Sequence, residues 1–111
     1  MTYSIEYAPE TAEHLRALTA RQRATVLDMV ERQLLHQPTV LTRSRKRMRT
    51  NPLAVWELRT AERRVYYDVV EVSRRTVIVR AVGVKERDRV RIGGRQVDHE
   101  VLQDDEDVGH R

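Results

Sequence analysis

Residues 55–82, VWELRTAERRVYYDVVEVSRRTVIVRAV, decide the fold. They hold three runs rich in Val, Ile, Tyr and Trp, at about Val55–Arg59, Arg64–Val72 and Thr76–Val82. β-Branched and aromatic side chains fit a pleated, half-buried surface, so each run predicts a strand. Thr60–Ala61–Glu62–Arg63 and Ser73–Arg74–Arg75 separate the runs. Connections this short join antiparallel neighbours, so the three strands form a meander.

Upstream, Thr2–Tyr7 alternates, with Tyr3, Ile5 and Tyr7 on one face, and predicts a half-buried first strand. Pro9 suits a helix start and Glu10 and Glu13 follow at its positive end. Ala12, Leu15 and Leu18 then give an apolar stripe, so Pro9–Leu18 predicts a short helix. Thr19 and Gln22 form a Thr-x-x-Gln capping box that opens a second helix. Its stripe is Val26, Leu27, Val30, Leu34 and Leu35, and Pro38 stops it. The two helices form a hairpin whose apolar seam must pack on the sheet, which makes the fold class α+β. Pro38 to Ala54 reads as a long irregular link carrying Arg43, Arg45, Lys46, Arg47, Arg49 and the Asn51–Pro52 pair. Downstream, Gly83 is expected to end the last strand. Lys85, Arg87, Arg89 and Arg91 then alternate as a second basic stripe up to a Gly93–Gly94 turn.

The 111 residues make one domain with a modest core of Val, Leu, Ile and Tyr, since there is no Phe and one Trp. Five cations within residues 43–49 repel one another and call for water or an anionic partner. The formal charge of +4 hides an asymmetry. Residues 98–111 carry six acids and one base, which leaves 20 bases against 11 acids in residues 1–97, a net of +9. A single basic domain over 1–97 and an acidic, disordered tail over 98–111 is the expected division, and the tail can alternatively fold back over the basic face. A basic body predicts salt-dependent nucleic-acid binding. No Cys is present, and His14, His36, His99 and His110 lack metal-ligand spacing, so solvated histidines and no metal or cofactor are expected. No apolar run reaches the roughly 18 residues of a membrane span, and Met1–Tyr7 lacks the regions of a signal peptide, so a cytoplasmic location without membrane contact is expected. Ser4, Ser44 and Ser73 have no nucleophile-elbow context, and Gly93–Gly94 is no phosphate loop.

Three segments in order, Trp56–Glu57–Leu58–Arg59, Arg64–Val65–Tyr66–Tyr67–Asp68–Val69 and Val82–Gly83–Val84–Lys85–Glu86–Arg87, resemble the RelE/ParE superfamily of toxins from bacterial type II toxin–antitoxin systems. The similarity spans roughly residues 3–94. It implies the RelE-like microbial ribonuclease fold, an N-terminal strand and a two-helix hairpin on a twisted antiparallel sheet. It also implies one of two activities. RelE-like members are metal-independent endoribonucleases (mRNA interferases) that cut mRNA, many on the ribosome, and so inhibit translation. ParE-like members poison DNA gyrase. A cognate antitoxin protein is the implied partner of both, and of a non-catalytic relative that only binds its antitoxin.

Metal-free RNA cleavage needs a base for the 2′-OH proton, an acid for the leaving 5′ oxygen, and cations around the phosphorane. The resemblance places Arg64 where relatives carry the arginine that opens an Arg-x-x-Tyr strand; its guanidinium can grip phosphate bidentately, with Arg63 as an adjacent substitute. Lys85 falls near an Arg or His of relatives and can hold phosphate or donate a proton. Lys46 lies at the distance before Trp56 where some relatives place a catalytic carboxylate or lysine. Glu57 is a candidate base, or else a structural partner of Arg59 or a cross-strand arginine. Arg43, Arg45, Arg47, Arg49, Arg59, Arg87 and Arg91 are the candidate RNA-binding cations. Arg91 stands about where some relatives stack a base on tyrosine, and a guanidinium plane can also stack. The two lysines some relatives carry near Val55 and Glu57 are missing. Trp56 and the Tyr66–Tyr67 pair read as sheet packing.

Overall fold

The meander forms where the β-branched runs place it. In the computed structural model, which describes residues 2–98, β1 is Ser4–Tyr7, α1 Thr11–Arg16, α2 Ala20–Leu34, β2 Arg45–Arg47 and β3 Trp56–Thr60. The chain continues through β4 (Arg63–Val70), β5 (Thr76–Glu86), β6 (Arg89–Ile92) and β7 (Arg95–Asp98). Six strands follow one antiparallel path, β2-β3-β4-β5-β6-β7. β1 departs from the antiparallel expectation: it pairs parallel with β5, Ser4 opposite Thr76 and Tyr7 opposite Val79. The architecture is α+β, two helices and a strand-rich body. Of the tail expected over 98–111, Asp98 ends β7 and the rest lies outside the described residues.

Side-chain alternation gives the sheet two different faces. Val26, Met29, Val30 and Leu34 of α2 pack on Leu58, Val65, Tyr67, Val77, Val79 and Val82. The opposite face buries a second cluster, Met48, Tyr66, Ala81, Val90 and Ile92, with Leu53, Ala54 and Val97 against it. Tyr66 and Tyr67 therefore serve different cores. A register shift lies between them, since Tyr66 faces Ala81 but Tyr67 faces Val79. The bypassed Arg80 bonds Asp68 at 2.9 Å, whose other oxygen accepts from the Val55 N–H at 2.8 Å. Tyr67 donates its buried hydroxyl to the Pro38 carbonyl at 2.6 Å, pinning the end of the helix hairpin to the sheet.

Local chemistry explains most boundaries. The capping box is present in both halves: Gln22 N–H donates to Thr19 Oγ1 at 3.1 Å and Thr19 N–H to Gln22 Oε1 at 2.9 Å. On α2 the buried stripe uses Met29, while Leu27 is 39% exposed, so the stripe is shifted from the expected one. On α1 it is Thr11 that is buried and Ala12 that is exposed, because the Thr11 hydroxyl can donate to Ala8 O at 2.6 Å. The link after Pro38 is less irregular than expected. It contains β2, which pairs with β3, and a turn organised by Asn51, whose side chain bonds Arg49, Leu53 and Ala54.

Gly83 does not end the last strand. β5 runs through it to Glu86, and a Cβ there would lie 2.5 Å from the Arg91 carbonyl and 2.8 Å from Ile92 Cγ1. Glycine is required because β6 packs directly onto this position. The basic stripe expected after it is therefore two strands joined by a turn at Arg87–Asp88.

His14 departs from the expected solvated histidine. One edge of β5 pairs with β1 as far as Val79 and with β6 from Gly83 onward, which leaves the Val82 N–H between them. That N–H donates to His14 Nδ1 at 3.3 Å. Burial pushes the imidazole pKa down from its ordinary 6.5, against the raising pull of Glu10 and Glu13. The unfolded chain then takes up the proton at a higher pH than the folded one, so stability is full above about pH 6.5 and falls as pH drops through and below that value. Melting temperatures across this range should decline with acidification in the native protein, and the decline should be shallower in His14→Gln.

Candidate nucleic-acid interface

Strand register sorts the cations. Lys46 faces Glu57, and Glu57 in turn faces Tyr66, which faces Ala81. The next row on the same side runs Arg59, Arg64, Gly83, Ile92. Lys85, two residues beyond Gly83, continues this side and faces Val90. Lys46, Glu57, Arg59, Arg64 and Lys85 thus share the face opposite the helices, although 39 positions separate the first from the last. The Lys85 N–H also donates to Glu62 O at 2.6 Å, tying this end of β5 to the β3–β4 turn.

The other basic residues do not form one platform with them. Arg45 and Arg47 flank Lys46 and so point to the opposite side of β2, facing Leu58 and Trp56. Arg45 is only 7% exposed. Its guanidinium bonds Gln33 Oε1 at 2.7 Å, Gln33 O at 3.1 Å and Val40 O at 2.9 Å, so neutral oxygens and not an outside polyanion satisfy it. Arg47 lies 6.0 Å over the Trp56 ring. Arg43 is exposed ahead of β2 and Arg49 is half-buried beside the Asn51 turn. Arg87 is exposed in the β5–β6 turn. Arg91 faces Val84 on the helix side of the sheet and pairs with Glu86. Arg91 and Lys85 therefore lie on opposite sides of the sheet.

The centre of the shared face is a buried polar group. Glu57 has no solvent exposure. A carboxylate there must be paired to remain ionised. Its Oε1 accepts from Arg59 Nε at 2.5 Å and its Oε2 lies 4.0 Å from Arg64 Nε. Of the two alternatives for Glu57, base or structural partner, the geometry displays the second. Arg64 is 7% exposed, and its Nη1 donates to Ala61 O at 2.7 Å and Arg63 O at 2.9 Å. Burial lowers its pKa, and Glu57 opposes that shift. With Nη1 spent on carbonyls and Nε buried, Nη2 is the edge of this guanidinium left to meet an outside anion. Burial pushes the Tyr66 phenol far up, and Glu57 adds to the effect.

Tyr66 is the member of this group that sequence reasoning assigned to packing alone. The signal was present: it stands two residues from Arg64 and, in the meander, directly across from Glu57. Further along the sheet, a cleft of about 550 Å³ opens between the Asn51 turn and the last two strands, lined by His14, Leu53, Asp68, Arg80 and Arg95 among others. It contains none of Lys46, Glu57, Arg64 or Lys85. Among the described residues no set of three His, Asp or Glu side chains is gathered that could hold a metal ion, and no helix is long and apolar enough to cross a membrane.

No family model, curated protein or solved structure matches this chain.

The division of the cluster predicts unequal substitutions. Arg45→Ala should cost roughly 1–3 kcal/mol in denaturant unfolding, because it removes a buried, packed side chain together with its hydrogen bonds to Gln33 and Val40. Arg43→Ala should leave the unfolding midpoint unchanged.

Proposed function

We propose that this chain is a toxin of the RelE/ParE superfamily that cleaves mRNA without a metal and is held in check by a cognate antitoxin. The observation that carries this reading is the convergence of Lys46, Arg59, Arg64 and Lys85 on one sheet face, with the helices kept to the other. On this reading a single RNA strand lies across the face and meets the ribosome there in members that need it. Arg64 is anchored through Nη1 to two backbone carbonyls, so its charge is positioned before the phosphorane develops and needs little reorganisation. Glu57 holds Arg59 and Arg64 and does not itself reach the ribose. Proton transfer then falls to Lys46 and Lys85, at either side of the arginine pair.

One feature favours a second reading. With Glu57 sealed from solvent, the face lacks an accessible carboxylate base, which suits a ParE-like gyrase inhibitor that binds its target without cutting RNA. The two are separated by inducing the chain in a bacterial host and mapping transcript ends. Growth arrest with new mRNA ends, lost together in the Lys46→Ala, Lys85→Ala double variant by a factor of roughly 10²–10⁴ in cleavage rate, is the expected result. Arrest with intact mRNA and broken DNA would replace the ribonuclease by the gyrase reading.

A further inference from the structure

Several of the sheet's cations stand at the end where the chain leaves it. β7 ends at Asp98, which pairs with Arg89, and Arg89 pairs with Glu86. Arg87 is exposed in the adjoining turn. Val97, one residue earlier, shares a row with Lys85. Arg95, three residues earlier, shares a row with Gly83, Arg64 and Arg59. Lys85 has no ion-pair partner among the described residues. Arg64 keeps Nη2 for an outside anion, since its Nη1 is held by two carbonyls. On the helix side at this end, Arg91 is already paired with Glu86.

The sequence that follows is of opposite sign. Residues 99–111 carry Glu100, Asp104, Asp105, Glu106 and Asp107 against one base, Arg111. Four consecutive carboxylates repel one another, and cations fixed on a sheet nearby relieve that repulsion. The reach suffices. With strands about 4.8 Å apart, Lys85, two strands across, is roughly 10 Å from Asp98. Arg64, three strands across and three residues along, is roughly 17 Å away. Six extended residues cover about 20 Å, which brings Asp104 to either.

We propose that the acidic run Asp104–Asp107 docks on this end of its own sheet, over Lys85 and Arg64, as an intramolecular cover. The contact keeps other anions off the cationic face until they displace it. It rests on charge and connectivity and stands apart from the toxin reading.

The chain has two lysines, Lys46 and Lys85, and no cysteine, which makes both labels of the test selective. A carbodiimide joins an amine to a carboxylate in contact with it, forming an amide with loss of water. In the native full chain at low salt, mass spectrometry should find Lys85 linked to one of residues 104–107 within a single molecule. Raising sodium chloride to about 0.5 M, where the Debye length is about 4 Å, should cut that yield several-fold. A nitroxide on Gln103→Cys should halve the amide signals of residues 62–64 at low salt. It should spare those of residues 19–22, which lie beside Glu86 and Arg91 on the helix side. Equal broadening of both sets would mean a tail that only swings from its tether, and would overturn the proposal. So would a Lys85 link that high salt leaves undiminished, or one found only between two copies.

Discussion

A carboxylate in the middle of a sheet, cut off from water, is the constraint around which this molecule is arranged. A carboxyl group buried in such a place needs partners, and the strands bring two arginines to Glu57. Arg59 comes from its own strand, two residues on, and Arg64 from the neighbour, across the register. A slip of one residue between β3 and β4 would turn one of these side chains to the helix side and leave the acid without it. The ion group therefore selects the pairing that the apolar pattern of Leu58, Val65 and Tyr67 selects from the other face. Two independent demands agree on one register, which is how a short meander comes to specify one structure.

Much of this was legible in the sequence. The three runs of residues 55–82 gave their strands to within a few positions, and the Thr19–Gln22 box gave the start of α2 to the residue. Both rest on local chemistry, which a sequence states directly. The parts that were not legible depend on partners far along the chain. β2 is three residues of Arg-Lys-Arg, a composition with no strand signature, and it exists because β3 offers an open edge. Arg45 looked like one more surface cation, yet Gln33 and Val40 make it a packed residue. β6 looked like part of a basic stripe, and β7 had no strand assignment, because Val90, Ile92 and Val97 are too widely spaced among polar residues to signal a strand. His14 is illegible in principle from its own helix, since the amide it serves belongs to residue 82.

The candidate site shows the same division. Lys46, Glu57, Arg64 and Lys85 were proposed from a resemblance, and strand alternation groups all four on one side. The same alternation separates Arg45, Arg47 and Arg91 from them. Counting cations along the chain could not make that separation, because charge density in sequence says nothing about which way a pleat turns. Only the pairing partners, Leu58, Trp56 and Val84, reveal it.

β1 carries a consequence for how the protein is made. Its strand partner is not its neighbour in sequence but the stretch Thr76–Val79, 72 positions later. Closing a loop of that length is the slow part of assembling a small domain, and it cannot begin until the partner exists. A growing chain therefore leaves the ribosome with its first strand, both helices and the early meander still lacking the element that unites them. The sheet closes only after Thr76–Val79 has been made, so a chain cut short of that stretch lacks the strand that β1 pairs with.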